Sequence, residues 1–214
     1  SLSKKKMDEL NKTNDAKNLR GYKKKFLDDT LLGYKRTGFN LSSEDRVQVK
    51  EVLDRLTDLG LEFDKNIRNA QDTLFLNESD LIGLPENYKK ERLQKNGQYA
   101  VDMSYPSYSS FMTLAESDTA REKLRFMFNN RAVETNVDVL DNIIRTRIDL
   151  VKLLGYRTYA EYRTEDRMVK NAKNVWAFEN NLKVKLRNKA KRDLVAMMAL
   201  KSKRTGKKLV YNIH

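Results

Sequence analysis

The chain has 214 residues, of which 39% are hydrophobic and 34% are charged, and its formal net charge is +13. It contains no cysteine, and its only histidine is His214. This composition excludes disulfides, cysteine-ligated zinc, a thiol nucleophile, a Ser-His-Asp triad and any two-histidine metal site built within this chain.

The basic residues lie mainly near the two ends of the chain. Residues 1–25 carry a net charge of +6, residues 26–170 carry −3, and residues 171–214 carry +10. No apolar run approaches the ~20 residues that a membrane-spanning helix needs. The basic residues 1–6 are not followed by an apolar stretch. The sequence therefore predicts neither a membrane span nor a secretory signal.

The first 40 residues are expected to form N-terminal helices, and the clearest helix of the chain follows at 44–69. Ser42 or Ser43 can cap this helix. Gly60 weakens it by about 1 kcal/mol relative to alanine, which predicts close packing or a bend at that position. The apolar residues of the helix recur at helical spacing: Val49, Val52, Leu53, Leu56, Phe63 and Ile67.

One region carries strand signals. Residues about 73–77 are β-prone, and residues 98–104 alternate Tyr99, Val101 and Met103 with more polar positions. A short helical piece at 86–93 lies between them, and Tyr105-Pro106 ends the second strand because proline cannot donate to a ladder. We expect a two-stranded antiparallel ribbon, packed on helices since an isolated ribbon is marginally stable in water.

The rest of the chain is predicted to be helical, which makes the fold class mainly α. Helices at 119–131 and 137–154 have apolar stripes and a short link, which favours an antiparallel hairpin. Ser117 or Asp118 can cap the first helix, Thr135 or Asn136 can cap the second, and Gly155 ends the second. A short helix at 158–168 and a long basic helix at about 171–202 follow. The stripe of the second hairpin helix is expected to be continuous: Leu140, Ile143, Ile144, Ile148, Val151 and Leu154.

Two groups of residues resemble active-site patterns, but their spacing and neighbours favour a structural interpretation. Neighbouring carboxylates occur at Asp28-Asp29, Glu44-Asp45 and Glu165-Asp166, but adjacent helix positions do not face each other and basic residues lie nearby. Tyrosines 156, 159 and 162 have the spacing of a packing face whose hydroxyls reach partners. We predict surface ion pairs for the carboxylates and packing for the tyrosines.

The basic helix allows three interpretations. Eleven cationic residues between 183 and 208 could contact phosphates, but no aromatic residues alternate with them for base stacking. Apolar residues among them could also lie in a membrane surface or dock on the protein. Trp176 and Phe178 precede the most basic half. A docked structural helix is the favoured interpretation.

A series of short motifs resembles one known family in order and spacing. The strongest is Leu-Leu-Gly-Tyr-Arg-Thr-Tyr-Ala-Glu-Tyr at 153–162, and the likeness covers about residues 18–214. These motifs resemble the thimet oligopeptidase–neurolysin–saccharolysin family of zinc metallopeptidases. The other matching segments are 38–41, 63–66, 80–88, 105–108, 121–131, Met168, 175–182 and 211–214.

The resemblance implies a helical scaffold from a larger oligopeptidase with a deep channel for short peptides. It divides the chain into N-terminal helices (1–40), the long helix with the β ribbon (41–116), and the hairpin with the basic helix (117–206). The family's His-Glu-x-x-His motif, in which two histidines bind zinc and the glutamate activates a water molecule, is missing from this sequence. We therefore assign no catalytic residue and no metal ligand, and no substrate-binding residue can be named.

The resemblance predicts a portion of a zinc metalloendopeptidase that ends before the zinc motif, supplies channel wall and is inactive alone. Zinc is expected in the parent enzyme and no cofactor in this chain. The expected partners are short peptides and the missing catalytic half, with self-association through exposed faces, no membrane contact and nucleic acid disfavoured. The alternatives are a basic module that binds nucleic acid or an acidic partner, and a degenerate peptide-binding homologue. The absence of cysteine fits a cytoplasmic location, with an organellar parent left open.

Overall fold

The computed structural model of the chain describes residues 6, 9, 10 and 12–206. The predicted motif at 211–214 and residues 1–5 lie outside the described residues. Within the described part the fold is mainly α with one two-stranded sheet, as the sequence predicts. The helices are α1 (Asn14–Asn18), α2 (Gly21–Arg36), α3 (Ser43–Asn69), α4 (Glu86–Arg92), α5 (Tyr105–Leu114), α6 (Asp118–Asn129), α7 (Val133–Leu153), α8 (Tyr159–Thr164) and α9 (Ala172–Thr205).

The β ribbon consists of β1 (Thr73–Leu76) and β2 (Tyr99–Asp102). The strands are antiparallel, with Thr73 opposite Asp102 and Leu76 opposite Tyr99. The predicted ribbon is therefore confirmed, although β2 ends two residues earlier than predicted. It ends there because Ser104 caps helix α5, accepting a hydrogen bond at 3.4 Å from the Ser107 backbone N–H. Helix α5 itself was not predicted, since Tyr105-Pro106 indicated only the end of a strand.

The chain separates into two compact units. Unit 1 is Ser1–Glu62 with Asp138–Lys183, and unit 2 is Phe63–Val137 with Val184–His214. The predicted division at residues 40 and 116 stays a prediction.

The core of unit 2 lies where the β ribbon meets helices α4, α5 and α6. Leu81, Val101, Phe111 and Leu124 are fully buried there. Gly83 explains part of the 80–88 motif, because its φ is +92° and a Cβ atom would lie 2.3 Å from the Leu114 carbonyl oxygen. Only glycine fits this close approach, which seats the 80–88 segment beside the end of α5.

The core of unit 1 is smaller. Val49 of α3 is buried against Leu150 and Leu154, with leucines of α3 and the tyrosines of the 153–162 motif around them. Helix α3 agrees with the predicted helix at 44–69, and the Ser42 hydroxyl caps it by accepting from the Asp45 N–H at 3.0 Å. Of the two alternatives predicted at Gly60, close packing is wrong, because a Cβ atom there would meet nothing within 4 Å, and the bend stays a prediction.

Helix α7 differs from its prediction in two ways. It begins at Val133, so Thr135 and Asn136 do not cap it. Asn136 is buried and donates to the Phe63 carbonyl at 3.1 Å, which makes it a packing residue. The predicted continuous stripe is also wrong: Ile143, Val151 and Leu154 are buried, whereas Leu140, Ile144 and Ile148 are half-exposed. Val151 lies in line with Leu140, Ile144 and Ile148, so the burial of this helix changes along its length as well as around it.

Candidate functional site

An open groove in unit 2 is the candidate binding site. It lies where α3 ends, β1 begins, β2 ends and α5 begins, and its volume is about 480 Å³. This size is within the range of small-molecule sites. The polar lining includes Arg68, Asp72, Asp102, Ser104, Tyr105 and Arg131.

The antiparallel register of the ribbon brings these residues together. Because Thr73 pairs with Asp102, the start of β1 and the end of β2 lie at the same end of the sheet. The loop from α3 to β1 and the turn from β2 to α5 therefore form two sides of the groove. The Asp102 carboxylate holds that turn by accepting from the Ser104 N–H at 2.8 Å.

Arg131 supplies a positive charge in a fixed position. Its Nε donates to the Phe128 carbonyl and its Nη1 to the Met103 carbonyl, both at 2.8 Å. Its guanidinium lies 3.6 Å from the centre of the Phe128 ring and 5.7 Å from that of Tyr105. These contacts order the arginine side chain before any ligand arrives.

Asp102 supplies a negative charge at the same groove. Its partial burial raises the carboxyl pKa, but hydrogen bonds from Ser104 and Ser107 and the charge of Arg92 outweigh burial, so the pKa lies below its usual value. Asp102 is therefore ionised at neutral pH. With Arg68, Arg131 and Asp72, the groove presents charges of both signs, an arrangement suited to a small zwitterionic or peptide group.

The three predicted tyrosines form a packed cluster in unit 1. The Tyr156 hydroxyl donates to the Glu165 carboxylate, and the Tyr162 ring lies 4.1 Å from the Arg36 guanidinium. Arg36 is buried and also donates to the Tyr162 carbonyl. Burial and the Glu165 carboxylate raise the Tyr156 pKa, so this hydroxyl stays protonated at neutral pH. The predicted packing role of the tyrosines is confirmed.

The paired carboxylates are not brought together as catalytic dyads. Each pair has at least one member held by a nearby basic residue or hydroxyl, as predicted for surface and helix-start positions. The contacts are Asp28 with Lys24 at 2.7 Å, Asp29 with Lys25 at 2.6 Å, Asp45 with Ser42 at 2.8 Å, and Asp166 with Arg36 at 3.5 Å.

The donor set of the described residues does not fit a catalytic zinc ion. Residues 6, 9, 10 and 12–206 contain no group of three or more histidine, cysteine, aspartate or glutamate side chains arranged to hold a metal. His214 lies outside the described part of the chain.

Helix α9 is far more exposed than predicted. None of its residues is buried, so the interpretation as a docked helix is wrong for most of its length. Trp176, Phe178 and Val184 are each more than 60% exposed. Near its end, within unit 2, the Lys201 ammonium contacts the Asp118 carboxylate at 2.6 Å. No helix within the described residues is long and apolar enough to cross a membrane.

Comparison with known proteins agrees with the motifs. The family model for peptidase family M3 matches residues 111–213. The thimet-like oligopeptidase of Dictyostelium discoideum is 26% identical over 183 residues, which cover 84% of this chain and 27% of that protein. Oligopeptidase A of Haemophilus influenzae is 28% identical, and the match covers 86% of this chain and 29% of that protein. Saccharolysin of Saccharomyces cerevisiae is 27% identical, covering 83% and 26%.

The three relatives are named as oligopeptidases, which is the class of protein that this chain resembles. Together with the family-model match, they show that the chain is similar to members of peptidase family M3, in agreement with the resemblance found in its motifs. The chain spans between 26% and 29% of the length of these three relatives.

Sequence reasoning missed the groove and its residues. The pairing of Thr73 with Asp102 follows from the predicted ribbon, so two of the lining positions could have been placed together from the register. Arg131 carried no such signal, because its approach to Met103 depends on how α6 packs against the ribbon.

Proposed function

We propose that this chain supplies helical scaffold and channel wall to a zinc-dependent oligopeptidase that hydrolyses short peptides, and that it does not hydrolyse peptides by itself. The observation that carries the proposal is the alignment with three oligopeptidases over 83–86% of this chain. The motifs that resemble the family include Gly83, Gly155 and the three tyrosines of the 153–162 motif, which have structural roles here.

The proposed inactivity rests on the chemistry of the sequence. A zinc peptidase binds its metal through side chains such as two histidines and needs a general base for the attacking water. These 214 residues contain one histidine and no His-Glu-x-x-His motif. In the proposed enzyme, the zinc ligands belong to protein outside these residues.

The exposed side chains of α9 support a scaffold role. Exposure of Trp176, Phe178 and Leu186 to water is unfavourable, and contact of another surface with these side chains would stabilise the helix. In the proposed enzyme, the remaining part of the protein covers this helix.

The groove of unit 2 supports a role in the channel wall. Its charges can hold the termini and carbonyl groups of a peptide, and the ring of Tyr105, which is 69% exposed, offers an apolar contact. A cytoplasmic location is part of the proposal, supported by the absence of cysteine. Fractionation of the cells that make the protein tests the location.

Peptide hydrolysis by the purified chain tests the proposed inactivity. The chain is incubated with a quenched fluorescent short peptide and added zinc, beside an active zinc peptidase as positive control. We expect no turnover above buffer, because the donor set for a catalytic zinc is missing. Chelator-sensitive hydrolysis that co-purifies with the chain would contradict the proposal.

Peptide binding tests the channel wall separately. We expect a labelled short peptide to bind weakly, and Arg68→Gln to weaken binding about tenfold, the effect of losing ~1.4 kcal/mol from a hydrogen bond to a charged group. Arg55→Gln is the matched control, because Arg55 is an exposed arginine of the same helix outside the groove. If both variants bind the peptide equally well, the proposal that the groove forms part of the channel wall is contradicted. Fluorescence anisotropy measures the affinity.

A further inference from the structure

Helix α7 carries a second apolar face that nothing in the described part of the chain covers. We call it the α7 stripe: Val133, Val137, Leu140, Ile144 and Ile148. These side chains are between 42% and 60% exposed, whereas Ile143 and Leu150 on the neighbouring face are buried. Steps of three and four residues keep the stripe on one side of the helix over four turns. Such a face is typical of a helix that pairs with another helix.

Charged residues along one flank of the stripe specify the partner. Glu134, Asp141, Arg145 and Lys152 are spaced by seven, four and seven residues, so all four lie on the same flank. The two acidic residues occupy the N-terminal half of the flank, and the two basic residues occupy the C-terminal half. In a parallel pair the charged flanks of the two copies would lie on opposite sides of the interface and would not meet. In an antiparallel pair the flank of one copy meets the same flank of the other in reverse order, so that acid lies beside base.

One register satisfies the apolar and the charged residues together. If two copies of α7 cross antiparallel with their midpoint between residues 142 and 143, Leu140 lies beside Ile144 of the other copy and Val137 beside Ile148. The same register sets Asp141 beside Arg145 and Glu134 beside Lys152. We propose that the α7 stripe is a self-association surface, and that its occupant is an antiparallel α7 helix of a second copy of this chain.

Existing contacts agree with this arrangement. Arg145 and Asp141 already form an exposed ion pair at 2.6 Å within one helix, so their charges are held on the flank where the second copy lies. Two copies of α9 would repel each other, because each carries a large excess of positive charge. The α7 stripe is therefore better suited to a second copy than α9.

The area of the stripe sets the expected affinity between two copies of the chain. Five half-exposed aliphatic side chains offer roughly 400 Å² per chain, so a dimer buries about 800 Å² through them, less than the 1,200–2,000 Å² of a standard interface. The net charge of +13 on each chain adds repulsion. We expect a reversible dimer with a dissociation constant on the order of 100 μM at about 0.15 M salt.

Sedimentation equilibrium over a range of protein concentrations tests the surface. The full chain is expected to show a monomer–dimer equilibrium, which Leu140→Gln with Ile144→Gln weakens at least tenfold. Leu61→Gln is the control, because Leu61 is also an exposed leucine but lies on α3, outside the stripe. A chain that stays monomeric up to 1 mM, or a dimer that the double variant leaves unchanged, would overturn the proposal.

Charge exchange tests the partner and does not depend on the apolar variants. A chain with Glu134→Lys and Asp141→Arg has a fully basic flank, and one with Arg145→Asp and Lys152→Glu has a fully acidic flank. We expect each alone to be monomeric and an equimolar mixture to form the heterodimer. Failure of the mixture to associate, with both chains helical by circular dichroism, would contradict the antiparallel register.

Cysteine crosslinking measures the register directly, because the chain has no cysteine of its own. In the proposed dimer, residue 137 lies beside residue 148 of the other copy, while the two residues 137 are roughly 16 Å apart. A disulfide needs Cα atoms closer than about 7 Å. Mixed Val137→Cys and Ile148→Cys chains should therefore crosslink with each other, and Val137→Cys alone should not. A 137–137 crosslink would show a parallel pair and overturn the register.

Discussion

Tyr88 shows how burial changes the chemistry of a single residue. Its ring is 6% exposed, its hydroxyl donates to the Ser107 carbonyl at 3.0 Å, and the Arg92 guanidinium lies 3.6 Å from the ring centre. Burial raises the pKa of the hydroxyl to about 12, although the charge of Arg92 acts in the opposite direction. The folded state therefore keeps Tyr88 protonated at a pH where an unfolded chain releases the proton.

We predict that Tyr88 makes the free energy of unfolding fall as pH rises from about 10 to about 12. The unfolded tyrosine loses its proton near pH 10 and the folded one near pH 12, so the stabilisation is fully present below pH 10 and is lost above it. Two pH units correspond to about 2.7 kcal/mol. Urea unfolding of the wild type and Tyr88→Phe across this range measures the difference. Parallel stability curves for the two proteins would contradict the assignment.

The residues that sequence analysis placed correctly are those whose roles are local. Gly155 has a φ of +77° and ends α7, as its position after an apolar stripe predicts. Ser42 caps α3 with its own hydroxyl. Gly83 was recognised only as part of a motif, because its need for glycine depends on the Leu114 carbonyl, which lies far away in the sequence.

At the scale of elements, two glycines with open surroundings isolate the effect of backbone conformation. Gly60 lies inside α3, and Gly155 follows α7 at positive φ; a Cβ atom at either would meet nothing within 4 Å. We predict that Gly60→Ala stabilises the chain by about 0.5–1 kcal/mol and that Gly155→Ala destabilises it by about 1–2 kcal/mol.

Chemical unfolding of the two variants measures both changes. Each is the matched control of the other, because the same methyl group is added in open space and only the backbone conformation differs. Changes of the same sign would show that contacts, and not conformation, decide the outcome at these positions.

Helix α7 shows where a periodic pattern stops being informative. The sequence predicted one continuous stripe that includes Leu140 and Ile143, but Ile143 is buried whereas Leu140 is half-exposed. Spacing identifies which residues can share a helix face, but not which of two apolar faces is buried. That choice depends on Val49 and the other residues that pack against Leu150 and Leu154. Helix α5 was missed for a related reason, since its first turn reads as the end of a strand.

At the scale of the whole molecule, the chain leaves much apolar surface exposed to water. The described chain forms two small cores and leaves many apolar side chains of α7 and α9 in contact with water. A chain of this size in isolation would be expected to bury more of them. The proposed scaffold role and the proposed self-association surface each give part of this exposed area a partner, α9 in the first case and α7 in the second.

The sequence by itself determined the helical class, the antiparallel ribbon, the relationship to oligopeptidases and the lack of histidine and cysteine ligands, because periodicity, composition and motif order are local or additive properties. Only the tertiary structure decided which apolar residues of α7 are buried, that α9 is exposed, and that Arg131 and Asp102 line the same groove. Those outcomes depend on packing between residues that are distant in the sequence. The residues next to a side chain in the sequence do not specify which elements pack against it.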